Sequence, residues 1–410
     1  MTGFTTQVIH TPLSKKDPHG SLHMPIYENV AFEFESAEAI EMAFHGRRPG
    51  HAYSRISNPT VEHFEQQIKA ATEATGVIAV SSGMAAISNL FLSVLAQGDN
   101  IILAPHLFGN TYSLVERTLR PLGITASYAD FTQPERIEGL ITDRTRIIFC
   151  ETITNPHLEI YDLEAIVAIA RKHKVLFVVD STLTPPNIFK AKAIGVDIEV
   201  VSSTKCISGG ATSVEGLIID YGSYDWAHNP LLAADAKKYG PFALLNKLRR
   251  ESYRNLGACL SPHNAYLQSL GLETVDLRYH KAASNALQLA LYLQKKPSVV
   301  SVNYPGLKES AYYALSQKLF NGVPGSLLTF DLASKEDAFA FINKVQLIRR
   351  ATNISDNRTL LIHPASTIFC EYSPEEKAKM GICETTLRLS VGIEDPDDLI
   401  ADINQALEGA

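Results

Sequence analysis

From residue 60 to residue 220, short apolar runs alternate with longer amphipathic stretches. The runs are "GVIAV" (76–80), "NIILA" (100–104), "RIIFCE" (146–151), "VLFVVD" (175–180) and "VDIEVV" (196–201). A strand with one wet face alternates apolar and polar positions. Continuous runs rich in Ile and Val instead predict strands covered on both faces, hence a parallel sheet between two helical layers. Stretches such as "SGMAAISNLFLSVLAQ" and "DLEAIVAIARKH" supply the helices. Ligands of such sheets sit beyond the carboxyl ends of the strands. Asp180 and Lys205 fall at that end: 175–180 closes on Asp180, and 196–201 leads through "SST" into Lys205.

The rhythm stops on either side. Residues 1–56 hold many turn formers and little periodicity, which predicts an extended N-terminal arm. Residues 57–256 carry the α/β pattern and form the expected large domain. After a long helical stretch, "PGSLLTFDL" and "TTLRLSVGIED" read as strands in a mixed pattern, so 257–410 is expected to be a smaller α+β domain. A chain of 410 residues is long enough for two domains.

Composition narrows the function classes. With 45% hydrophobic and 20% charged residues the profile is that of a soluble globular protein. A net charge of -7, with no stripe of Lys and Arg, argues against nucleic acid or an anionic membrane as the main partner. Five scattered cysteines form no CxxC pair and read as reduced thiols. No apolar leader core and no run of about 18 apolar residues is present. A cytoplasmic location is expected.

Several cofactor signals are missing: no GxGxxG follows a strand, no GxxxxGK[ST] occurs, and the thirteen histidines show no HExxH or closely spaced ligand set. No metal site is expected. "AVSSGMAAISN" (79–89) is a strand, a small-residue turn and a helix start, where bare N–H groups and the helix dipole suit a phosphate. Ser-Gly before a helix is also ordinary N-capping. Asp180 can likewise cap a helix, or hold a ring nitrogen protonated. Lys205 can end a strand in solvent, or form an imine if burial lowers its pKa. Together a phosphate cradle, an acid for a pyridinium and an imine-forming amine describe pyridoxal 5′-phosphate. The spacing from Asp180 to Lys205 spans one strand–helix–strand step, which brings both to one crevice.

The motifs "YSRISNPT" (53–60), "SSGMAA" (81–86), "VVDST" (178–182), "SSTK" (202–205), "HPAST" (363–367) and "LRLSVGIED" (387–395) resemble the Cys/Met-metabolism branch of fold-type I pyridoxal-phosphate enzymes, over about residues 5–405. The resemblance implies that fold, an α/β large domain with a mostly parallel sheet plus an α+β C-terminal domain, and pyridoxal phosphate as cofactor. It makes Lys205 the imine-forming lysine and Asp180 the partner of the pyridine nitrogen. Gly83 and Met84, through backbone N–H, and Ser202 and Thr204, through hydroxyls, match the phosphate cradle. Tyr53 and Arg55 match residues that reach the phosphate of the neighbouring subunit, which implies a homodimer at least and a homotetramer as dimer of dimers. Asn155 matches the residue beside the cofactor's phenolic oxygen. Arg388 and Asn353 match the grip on the substrate α-carboxylate. Phe108 stands where the family usually has Tyr; its ring can still stack on the cofactor, but the hydroxyl is gone. Cys206, Gly210, Ile368 and Phe369 are further departures.

Within the family, "NLGACLSPHNAYLQSLGLETVDLR" (255–278), the segment 223–255 and Asn353 resemble the acylhomoserine sulfhydrylases. The implied reaction is γ-replacement on an O-acylhomoserine, O-acetylhomoserine in the first place, by a sulfur nucleophile to give homocysteine or methionine. The small-molecule partners are then an amino acid and a sulfur donor. Elimination, as in methionine γ-lyase or the cystathionine lyases, is the alternative.

Overall fold

A computed structural model describes residues 3–408. Seven strands make the main sheet: β1 (Gly76–Val80), β2 (Asn100–Leu103), β3 (Thr125–Tyr128), β4 (Thr145–Glu151), β5 (Leu176–Asp180), β6 (Ile198–Val201) and β7 (Gly216–Asp220), in the order β1-β7-β6-β5-β4-β2-β3. β3, β2, β4, β5 and β6 run parallel, and β7 lies antiparallel between β6 and β1. The five apolar runs are all strands, and the sheet is mostly parallel. β3 and β7 were not among the expected strands. β3 is "TASY", only partly buried and without an apolar run; β7 is "GLIID", an apolar run like the others.

Local chemistry starts each covering helix. Asn58 accepts the N–H of Thr60 and Pro59 occupies the first turn of Pro59–Thr72, where its missing donor costs nothing. Ser82 accepts the N–H of Ala85 at the head of Gly83–Val94. Phe64, Ile68, Leu90 and Phe91 from these helices pack against the buried strand residues in one apolar cluster. The N-terminal segment is extended for much of its length, yet it also contains the short helices Phe4–Ile9 and Ala37–Phe44.

A second sheet of five strands follows: β8 (Ser301–Asn303), β9 (Leu327–Asp331), β10 (Arg349–Arg350), β11 (Leu360–Ile362) and β12 (Thr386–Ser390), in the order β10-β11-β12-β9-β8. Its core is built with the helix Pro396–Glu408 through Leu399, Ile403 and Leu407. The 19-residue helix Val275–Leu293 serves both cores. Val275 and Tyr279 pack against the first, and Ala286, Leu289 and Leu293 against the second.

One contact fixes the chain that follows Lys205. Gly271, in the helix Pro262–Glu273, lies against the 207–209 backbone, and a Cβ there would sit 2.1 Å from the Ile207 carbonyl oxygen and 2.6 Å from the Gly209 nitrogen. Gly209 itself has φ +80, a conformation that favours glycine. Because the clash is with backbone, it cannot be relieved by a rotamer. Gly271→Ala should therefore lower the midpoint of denaturant unfolding by the equivalent of about 1–3 kcal/mol, the usual range for overpacking. An unchanged midpoint would show that the 207–209 loop is free to move.

Candidate active site

The carboxyl ends of β4, β5 and β6 open onto a cavity of about 390 Å³ that elements of the second sheet close from the other side. Every candidate site residue except Tyr53 and Arg55 lines it. Tyr53 and Arg55 are exposed on the N-terminal segment, where the Arg55 guanidinium sits 5.5 Å from the Tyr53 ring centroid and donates to the Arg254 carbonyl at 2.6 Å. Their own chain does not bring them to the cavity.

Lys205 follows β6 through the turn 202–204. Its Nζ donates to Asn353 Oδ1 at 2.7 Å, so one candidate from each sheet region meets the other. Burial, and then the charge of Arg388, holds the amine below the usual lysine range. Asp180 ends β5 and accepts the Thr182 N–H at 2.9 Å. Burial raises its carboxyl above the ordinary value, against the lowering effect of Thr182.

Arg388 lies in β12 and is 2% exposed. Its Nη1 donates to Asn155 Oδ1 at 3.0 Å and its Nη2 to the Thr352 carbonyl at 2.8 Å, while Nε has no partner among the described residues. Burial pulls its pKa down to about 10. A guanidinium this deep, held by two neutral oxygens, has its charge uncompensated, and a carboxylate in the cavity would relieve that cost.

The cradle is formed where the helix Gly83–Val94 meets the turn after β6. The Ser82 hydroxyl takes the Ala85 N–H and the Ser82 carbonyl takes the Ala86 N–H, which leaves the N–H groups of Gly83 and Met84 as free donors among the described residues. A Cβ on Gly83 would lie 2.6 Å from Ser202 Cβ, so only glycine permits this approach. The Ser202 N–H is anchored on Thr182 Oγ1 at 2.8 Å. Thr204 Oγ1 donates to the Glu215 carbonyl at 3.0 Å and accepts the Glu215 N–H at 2.8 Å. Its single proton is thus spent within the chain, and it serves an anion only after turning. Two bare N–H groups at a helix start, with a serine hydroxyl beside them, fit a phosphate.

Sequence reasoning missed Glu151. It ends β4, is 6% exposed, lines the cavity and accepts the Phe108 N–H on Oε1 at 2.5 Å. The signal was present: "RIIFCE" closes a buried run on an acid just as "VLFVVD" does. Val214, 59% exposed, and Ile368 also line the cavity. No sequence pattern marked either as facing it.

Comparison with known proteins agrees with this geometry. The family model described as Cys/Met metabolism PLP-dependent enzyme matches residues 5–408. A solved structure from Campylobacter jejuni, which carries N′-pyridoxyl-lysine-5′-monophosphate at its position 205, is 34% identical, covers 99% of this chain and 100% of its own, and superposes with a TM-score of 0.94. A solved structure of an O-acetylhomoserine sulfhydrylase in the methionine biosynthetic pathway of Wolinella succinogenes is 46% identical, covering 86% of this chain and 98% of its own with a TM-score of 0.78. The L-methionine gamma-lyase of Pseudomonas putida is 34% identical over 100% of this chain and 98% of its own length. The chain belongs to the Cys/Met-metabolism family of PLP-dependent enzymes, and pyridoxal phosphate is its cofactor.

Proposed function

We propose that the protein replaces the acyloxy group of O-acetylhomoserine by a sulfur nucleophile, giving homocysteine from sulfide. One observation carries this reading: Arg388, buried without an acidic partner, shares a cavity with the depressed amine of Lys205 and the buried acid Asp180. Such a cavity holds an amino acid by its carboxylate next to a nucleophilic amine. The Wolinella succinogenes relative, 46% identical, is named an O-acetylhomoserine sulfhydrylase and supports this reading, while the Pseudomonas putida relative, 34% identical, is named an L-methionine gamma-lyase and makes elimination the alternative.

Lys205 would anchor pyridoxal phosphate through Nζ, with its phosphate on the N–H groups of Gly83 and Met84 and the hydroxyl of Ser202. When bound, the cofactor supplies an electron sink conjugated to the substrate Cα. Asp180 holds the proton on the ring nitrogen, which that sink requires. The Lys205 amine, held by Asn353, would also move protons at the substrate carbons. Arg388 would clamp the α-carboxylate, and Asn155, bonded to that guanidinium, would meet the ring's phenolic oxygen. Phe108 offers an apolar face that excludes water.

The lining also speaks to the leaving group. Its cations are Lys205 and Arg388, both engaged above, and its other charged groups are the acids Asp180 and Glu151. A succinyl ester would bring a second carboxylate with no cation of this chain to meet it. An acetyl ester carries no such charge.

Tyr53 and Arg55 support a site shared between subunits. Around them the N-terminal segment exposes Leu22 (95%), Val30 (60%) and Phe44 (61%), apolar surface that packing on a second copy would cover. A closed, symmetric homo-oligomer, at least a dimer, follows.

Four outcomes test these roles. Incubation with O-acetylhomoserine and sulfide should yield homocysteine faster than methionine or cystathionine is cleaved; mainly 2-oxobutanoate would move the protein to the lyases. Asp180→Ala should retain cofactor but lose about 10²-fold or more in kcat, the scale of one removed electrostatic stabiliser. Activity within a few-fold of wild type would reduce Asp180 to a turn residue. In cofactor-free protein, the rate of condensation with pyridoxal phosphate should rise with pH to a midpoint below about 10.4, the ordinary lysine value, because the amine is depressed. Arg388→Gln should move that midpoint upward, since it removes a like charge. An unshifted midpoint near the ordinary value would mean a solvated Lys205. Finally, Arg55→Ala and Lys205→Ala, each inactive alone, should partly restore activity when their subunits exchange, since one site of a hybrid dimer then carries neither defect. Hybrids without activity would mean that Arg55 serves its own chain.

A further inference from the structure

Glu151 and Asp180 are register partners on neighbouring parallel strands, each the last residue of its strand and each facing the cavity. Adjacent strands lie about 4.8 Å apart, and residues in register point to the same side. Two carboxyl groups so placed, with little water, do not both ionise. Among the described residues, neither carboxyl is bonded to a cation. Lys205 bonds to Asn353, and Arg388 bonds to Asn155 and Thr352. The other titratable groups beside Glu151 are Cys150 on its own strand and Tyr161 from the following segment, both neutral when protonated and both held protonated by burial.

We propose that Glu151 is a positioning residue that keeps a proton, so that of the pair Asp180 alone carries the negative charge that would meet the ring nitrogen, while the side-chain carbonyl oxygen of Glu151 ties down the loop bearing Phe108. The inference rests on the ring-nitrogen role proposed above for Asp180. Once a protonated ring nitrogen sits on Asp180, the single charge of the pair belongs there, and the proton belongs to Glu151. Burial first, then the neighbouring Asp180 charge, pushes the Glu151 carboxyl well above the usual range, while the Phe108 and Asn155 N–H groups oppose the shift only in part. The same oxygen that accepts the Phe108 N–H thereby fixes the backbone of the residue whose ring covers the site. Glu151 thus links the charge on Asp180 to the backbone of Phe108.

Infrared difference spectra of the holoenzyme, wild type minus Glu151→Gln at neutral pH, should show the carbonyl stretch of a protonated carboxylic acid. Subtraction cancels the other buried acids. Glu151→Gln should retain the cofactor within a few-fold of wild type, because the amide oxygen still accepts the Phe108 N–H. Glu151→Leu should weaken cofactor retention by about tenfold or more, since it strands a buried donor. A difference spectrum showing carboxylate bands in place of the acid stretch would overturn the proposal, as would wild-type retention by Glu151→Leu. Wild-type protein that binds no pyridoxal phosphate would overturn this inference together with the roles of Lys205 and Asp180.

Discussion

A lysine, an arginine and two carboxyl groups converge on one cavity, each stripped of much of its water and none hydrogen-bonded to an opposite charge. Removing an ion from water costs several kcal/mol even after the surroundings relax. Placed together and free to move, Lys205 and Asp180 would pair and erase that cost. They stay apart because each is fixed by a neutral neighbour, Asn353 and Thr182 respectively, at the end of a separate strand or turn. The unpaired state is the working state: it leaves an amine, an acid and a guanidinium open to groups of opposite character on a ligand.

What sustains this cost is the architecture behind it. β4, β5 and β6 are buried on both faces and locked in register, so their ends cannot drift. The turn after β6 is held from below by Gly271 against the 207–209 backbone and from the side by Gly83 against Ser202. The clamp Arg388 comes from a different sheet, and the helix Val275–Leu293 connects the cores behind both. The site therefore depends on two bodies of apolar packing at once, a common arrangement for sites that must hold unfavourable charges.

The sequence made part of this legible for a simple reason. A buried β-branched run that stops on a charged residue breaks the expected pattern, and Lys205 and Asp180 stand out as such breaks. Glu151 breaks it in the same way and passed unnoticed, because no motif drew attention to it. Gly83 and Met84 were legible as a helix start after a strand. Arg388 and Asn353 were not, since β12 and the loop before β11 look ordinary and only long-range placement brings them to the cavity; family resemblance supplied them. β3 lacks an apolar run because it is only partly buried. The local order within the N-terminal segment escaped notice because helices of six and eight residues leave little periodicity. The two-sheet division was visible as a change of rhythm, but not the single helix that joins the cores.

Phe108 bears on how the leaving group departs. An aromatic hydroxyl at this position would offer a proton to the cavity; Phe108 lines it with a ring that carries none, and its N–H goes to Glu151. A thiolate leaving group, with a conjugate acid near the cysteine value of about 8.5, gains much from a donated proton at neutral pH. An acetate, whose conjugate acid is near the carboxyl value of about 4, gains little. A site without that hydroxyl gives up little with an acyl ester and more with a thioether such as methionine or cystathionine. Loss of the hydroxyl thus favours replacement of an acyloxy group over cleavage of a carbon–sulfur bond. On the role proposed for it, Lys205, held by Asn353, would then serve the substrate carbons alone.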